Sequence, residues 1–131
     1  MPDKKLVLII EDNEDFQDLY GMVAEQAGFT VERILDGGVA LDRLESGPIP
    51  TLVLLDARLP VAEGDEILAA IRSNEGWAQV PVYMLTADMR VAKKYSYFAP
   101  DSPQPDGVIE KGAESIQQLR ELFQKYKGGQ S

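Results

Sequence analysis

Neither cysteine nor histidine occurs anywhere in this chain. The missing cysteines exclude disulfides and thiol nucleophiles, and a cytoplasmic setting fits them. Without histidine there is no imidazole general base, and without either residue the usual zinc sites are ruled out. A basic surplus is missing too: 13 Lys and Arg stand against 22 Asp and Glu, a formal net charge of −9. Such a composition carries no nucleic-acid footprint. No apolar run approaches the roughly 20 residues that a membrane-spanning helix needs. The start, Met1-Pro2-Asp3-Lys4-Lys5, is charged, and the apolar run behind it stops at Glu11-Asp12-Asn13-Glu14-Asp15, which is not a signal peptide.

What is present suits one folded domain, expected over 1–127 with a flexible tail at 128–131. The chain has 131 residues, 44% of them hydrophobic, enough to bury a core. Short runs rich in Val, Leu and Ile occupy 5–10, 30–35, 51–55, 81–86 and 107–110. Continuous apolar runs of that length predict strands buried on both faces. A helical pattern carries Phe16, Leu19, Tyr20, Val23 and Ala27, with Asn13 as its N-cap and Gly28 as its stop. A second helix is expected over 38–46, ended by Gly47-Pro48; a third begins after Gly64 and turns Ile67, Leu68 and Ile71 inward. The last covers 113–126. After Thr86-Ala87 the rhythm breaks: a short helix runs to about Phe98, and then Pro100, Pro103 and Pro105 demand a loop. There Tyr95, Tyr97 and Phe98 read as packing, and Lys93-Lys94 as a solvated face. Strand–helix alternation predicts a doubly wound α/β sandwich on a parallel sheet, with the first and third runs side by side at its centre.

Asp56 ends the run Leu52-Val53-Leu54-Leu55, and the first run ends likewise in Glu11-Asp12. A buried strand has no structural reason to finish in an unpaired carboxylate. Strand ends at the topological switch point are where open α/β sheets keep their chemistry. Alone, Glu11-Asp12 would suit a helix cap and Asp56 a turn; on adjacent strand ends they make one acidic site. Converging carboxylates need a cation, and an all-oxygen set suits a hard one such as Mg²⁺. A metal-bound, ionised carboxylate is also a nucleophile toward a phosphoryl group, whose oxygens need hydrogen-bonding or cationic partners. Thr86 and Lys111, at the ends of the fourth and fifth runs, are the candidates.

With these motifs in order (Ile9-Ile10-Glu11-Asp12-Asn13, Leu54-Leu55-Asp56-Ala57-Arg58-Leu59-Pro60, Glu63-Gly64, Met84-Leu85-Thr86-Ala87 and Glu110-Lys111), the chain resembles the response-regulator receiver domains of two-component signalling. The resemblance covers Leu6 to Tyr126 and implies a (βα)5 flavodoxin-like fold with strand order 2-1-3-4-5. It implies that Asp56 takes a phosphoryl group from a histidine kinase or a phosphotransfer protein. It further implies Mg²⁺ held by Asp12, Asp56 and the Arg58 carbonyl, with Glu11 acting through water. Thr86 would hydrogen-bond the phosphoryl group, Ala87 leave room for it, and Lys111 pair with its charge. A homodimer through the fourth helix, fifth strand and fifth helix is implied as well.

Two positions depart from the family pattern. Val108 stands three residues before the lysine, where receivers usually carry an aromatic residue that rotates inward on phosphorylation. Gly112 follows the lysine in place of a proline in a cis peptide, and a cis bond without proline costs about 2.5–4 kcal/mol, so trans is expected. Arg58 and Asp88 flank the site and are expected to pair across its mouth, slowing hydrolysis. Three functions stay open: a phosphorylatable receiver without an output domain, a receiver from a longer regulator or hybrid kinase, and a degenerate receiver serving as an interaction scaffold. The Met1 start and the Gly-Gly tail favour the first. None is an enzyme with an independent substrate.

Overall fold

A computed structural model describes residues 5–88, 90, 103–112 and 115–128. Among them are five strands, β1 (Leu6–Ile10), β2 (Thr30–Ile34), β3 (Leu52–Asp56), β4 (Val82–Thr86) and β5 (Gly107–Glu110). Four helices accompany them: α1 (Glu14–Gln26), α2 (Gly37–Arg43), α3 (Gly64–Ser73) and α4 (Ser115–Gly128). The strands form one parallel sheet in the order β2-β1-β3-β4-β5, as the resemblance implied. The short helix expected before Phe98, with its lysine pair and aromatic cluster, lies outside the described residues, and so does the tail beyond Gly128.

Alternation along the strands divides the core into two layers. Val7, Ile9, Leu52, Leu54, Leu85 and Ile109 pack with Tyr20, Val23 and Ala24 of α1 and Leu119, Leu122 and Phe123 of α4. Leu8, Ile10, Val53, Leu55, Val82 and Met84 pack on the other face with Ala40 of α2 and Ile67, Leu68 and Ile71 of α3. β3 is buried at every position because it is central and covered on both faces. β2 differs from the expectation of a strand buried throughout: it is the sheet edge, and only Ile34 is buried. Glu32 and Arg33 there are edge charges of the kind that discourages pairing with another chain, and they bond to Arg43 and Asp18.

Helix ends follow local chemistry. Asn13 caps α1 by accepting from the Phe16 N–H at 3.1 Å, and Gly28 follows the helix at φ 98°. α2 starts at Gly37, earlier than expected, because Asp36 accepts from the Val39 N–H at 2.8 Å. It also closes earlier, at Arg43, whose guanidinium bonds to the Ser46 and Pro48 carbonyls of the following turn.

Candidate functional site

The sheet's hydrogen-bond ladder continues past the strand ends and fixes the site backbone. Glu11 N–H donates to the Ile34 carbonyl at 3.0 Å, Ala57 N–H to Leu85 at 2.9 Å and Lys111 N–H to Thr86 at 2.8 Å. The alternation that buries Val7 and Ile9, Leu52 and Leu54, and Ile109 on the α1–α4 side carries on to Glu11, Asp56 and Lys111. The three side chains meet accordingly. The Lys111 ammonium lies 2.7 Å from Glu11 Oε1 and 3.1 Å from Asp56 Oδ2. The contact to Asp56 is a hydrogen bond; that to Glu11 Oε1 is a close ion pair without one.

Asp56 is 5% exposed, and its second oxygen, Oδ1, accepts from the Arg58 N–H at 3.1 Å. The loop behind it is packed against α3 at Gly64, where a Cβ would sit 2.6 Å from the Asp56 carbonyl oxygen. Glycine is therefore required for α3 to begin so close to the loop after Asp56. A second brace is the Pro60 carbonyl, which accepts from both Gly37 and Ala62 N–H groups at 2.9 Å.

Glu11 is fully buried. Burial first, then hydrogen bonding with Asp56, raise its carboxyl pKa to about 7, against the opposing pull of Lys111. Burial lowers the Lys111 pKa, but the Glu11 and Asp56 carboxylates outweigh that and raise it above its ordinary value. Glu11, Asp12 and Asp56 each offer a carboxylate oxygen, and the three oxygens lie within 4.8 Å of one another. Asp12 is exposed and, with Asp56, Arg58, Thr86, Ala87, Asp88 and Lys111, lines a cleft of about 340 Å³. An all-oxygen cluster beside an open cleft fits a hard divalent cation that keeps several waters. Glu11, buried, is set back from that cleft.

Thr86 reaches the cleft, but its hydroxyl is engaged with Asp88, accepting from the backbone N–H at 3.0 Å and donating to the carbonyl at 3.2 Å. Asp88 itself is held by Arg90, which contacts both carboxylate oxygens at 2.8 to 3.2 Å. These bonds lower the Asp88 pKa to about 2. Arg58 stands farther away, 3.9 Å from Asp88 with a side chain 75% exposed. The expected Arg58–Asp88 pair is thus present but secondary; Arg90 was not foreseen. Gln17 was also missed. Its buried amide donates to the carbonyls of Ile9, Glu11 and Ile34 at 2.8 to 3.1 Å, stitching the ends of β1 and β2. A polar residue one position from Phe16 on an inward helix face was the available signal.

Comparison with known proteins bears on this geometry. Residues 7–123 match the sequence model of the response regulator receiver domain. The chain belongs to that family. A probable methanogenesis regulatory protein, FilR2 of Methanothrix harundinacea, is 40% identical over 91 residues, 64% of this chain and 59% of that protein. Response regulator Rcp1 of Synechocystis is 34% identical over 63% of this chain and 61% of its own length. The chain therefore spans about three-fifths of these relatives. The receiver domain of the sensor histidine kinase PA1611 from Pseudomonas aeruginosa, with magnesium coordinated in its active-site cleft, shares the fold. Its TM-score is 0.80 at 23% identity, covering 96% of this chain and 99% of that one. The phosphorylated cyanobacterial phytochrome response regulator RcpA gives 0.82 at 22%, covering 98% and 97%.

Receivers are signalling switches of two-component systems, taking phosphoryl groups from histidine kinases or phosphotransfer proteins. As a class they are generally not classical enzymes. No helix among the described residues is long and apolar enough to cross a membrane.

Proposed function

We propose that this receiver accepts a phosphoryl group on Asp56 and acts as a Mg²⁺-dependent, phosphorylation-controlled switch. The observation that carries the reading is the Lys111 ammonium, 3.1 Å from the Asp56 carboxylate at the head of an open acidic cleft. An Asp56 oxygen attacks phosphorus, and the P–N bond to the donor's imidazole breaks as the P–O bond forms. Lys111, already beside Asp56, pairs with the incoming phosphoryl oxygens. Thr86 exchanges its local bond to Asp88 for one to the phosphoryl group, and Ala87 leaves room beside it. Asp12, Asp56 and the Arg58 carbonyl would hold Mg²⁺, with Glu11 acting through water. Bound there, the ion supplies positive charge against the carboxylates and the phosphoryl oxygens.

The receiver takes up residues 7–123 of 131. Output within this sequence then depends on proteins that dock on the switch, or on sequence beyond it. The scaffold reading draws on Val108 and Gly112. Val108 is a packed core-edge residue in register with Met84, not a side chain with two positions to choose between.

Incubation with acetyl phosphate and Mg²⁺, followed by intact mass measurement, tests the reading. The expected result is one acid-stable, base-labile phosphate on the wild type and none on Asp56→Asn. A wild type that never gains phosphate would favour the scaffold; an adduct surviving in Asp56→Asn would overturn the assignment.

A further inference from the structure

Among the described residues, little holds Lys111 from its C-terminal side. Gly112 has φ 154°, a backbone no proline adopts, and a Cβ built there would meet nothing within 4 Å. No cis peptide occurs among the described residues. Backbone restraint after the lysine comes from the Gly112 carbonyl, which accepts from the Ser115 N–H at 3.1 Å and hydroxyl at 2.6 Å. The flexible four-carbon side chain nevertheless delivers its ammonium to one point.

A third contact explains this. The ammonium sits 4.8 Å from the centre of the Phe16 ring. A ring face attracts a cation at that distance, and more strongly when the cation is largely desolvated; the Lys111 side chain is 11% exposed. Phe16 is itself held on two sides. Its ring stacks on Tyr20 at 5.5 Å with planes 17° apart, and Tyr20 is fully buried. Its N–H is capped by Asn13, whose own N–H donates to Glu11 Oε2 at 3.1 Å. The contacts close a ring of four residues: Glu11 to Asn13, Asn13 to Phe16, Phe16 to Lys111, and Lys111 back to Glu11.

From this geometry we infer that Phe16 is a positioning residue for phosphoryl transfer, seating the Lys111 ammonium beside Asp56 by a cation–π contact. The seat is independent of the carboxylates. It keeps the ammonium over the site when phosphoryl oxygens replace Asp56 Oδ2 as its partner. The inference rests on the proposed phosphorylation of Asp56.

Phe16→Leu, which keeps apolar volume without a ring face, is compared with Phe16→Tyr, which keeps the face. Thermal melts first establish that both fold. In the metal-free, unphosphorylated protein, the Lys111 terminal methylene resonances should be shifted upfield by the ring in wild type and Phe16→Tyr, and not in Phe16→Leu. With acetyl phosphate and Mg²⁺, Phe16→Leu should lower the maximal phosphorylation rate about three- to tenfold, leaving half-saturation by donor unchanged. Phe16→Tyr should recover most of that loss. Equal rates for all three folded proteins would overturn the inference, as would wild-type methylene resonances in Phe16→Leu. A wild type that takes no phosphate defeats the phosphorylation reading instead, and the resonance comparison still decides the seat.

Discussion

At the ends of β1 and β3 the acidic side chains are tied into surrounding backbone, whereas at the ends of β4 and β5 each functional group hangs on a few replaceable contacts. Glu11 is fully buried between the Asn13 N–H and Lys111, and Gln17 clamps the carbonyls around it. Asp56 sits on a loop pressed against Gly64. On the other side the Thr86 hydroxyl bonds, among the described residues, to the Asp88 backbone two residues away, and Lys111 is followed by an open glycine. The acidic side is a fixed frame. On the proposed reading the Thr86 hydroxyl can change partners when a phosphoryl group arrives, because what it gives up is local, while Lys111 keeps its contacts to Glu11 and Phe16.

If the acidic frame is truly fixed, its buried carboxyl should leave the largest mark on stability. Glu11 titrates near its ordinary value when unfolded and at about 7 when folded. Between those values the folded protein holds the extra proton, so stability falls as pH rises from about 4.5 to about 7. The contribution is fully present below that window and lost above it, on the order of 3 kcal/mol. Urea denaturation of metal-free protein across pH 4.5 to 8 measures the slope, and Glu11→Gln should flatten it. Mg²⁺, by favouring the ionised form, should reduce it.

Gly64→Ala attacks the same frame sterically. Its Cβ would meet the Asp56 carbonyl at 2.6 Å and Ala57 Cα at 2.9 Å, so the loop must shift. A loss of about 2 kcal/mol is expected by denaturation, together with slower phosphorylation. Unchanged stability would mean that the loop gives way easily and is no frame at all.

Gln17→Leu keeps the volume and removes the amide that serves three carbonyls. Some of those carbonyls have ladder partners too, as Ile34 has Glu11 N–H, so the cost should be smaller, about 1–2 kcal/mol. Amide hydrogen exchange should quicken at the end of β1 more than in β4.

The smallest effect should come from the opposite side of the site. Arg58→Ala removes a long, exposed contact to Asp88, while the Arg90 contacts remain. The acyl-phosphate lifetime should shorten less than twofold, and that of Arg90→Ala should shorten more. The reverse order would make Arg58 the guard of the cleft mouth.

Much of the fold was legible because strand period and helix period are local. The five apolar runs became five strands, and Asn13 capped α1 where the residue types placed it. β2 was grouped with the runs buried on both faces although Glu32 and Arg33 interrupt its apolar residues; that it is an edge depends on sheet order, which no local window contains. Glu11, Asp12, Asp56 and Lys111 could be gathered in advance because each ends an apolar run, and run ends of a parallel sheet lie on one side. Phe16, Gln17 and Arg90 could not. Their partners lie on other elements, or depend on a rotamer, and the residue types name none of those partners; only the place of Gln17 on an inward helix face hinted at a role.

The sequence by itself determined the strand and helix alternation, the acidic strand ends, and the departures at Val108 and Gly112. Hydrophobic period and unpaired charge at the end of an apolar run are properties of neighbouring residues. Tertiary structure alone decided that Lys111 bridges Glu11 and Asp56, that Phe16 lies beneath it, and that Asp88 bonds to Arg90 before Arg58. Those are contacts of a few ångströms between groups on different strands and helices, and only the packed sheet brings them within reach.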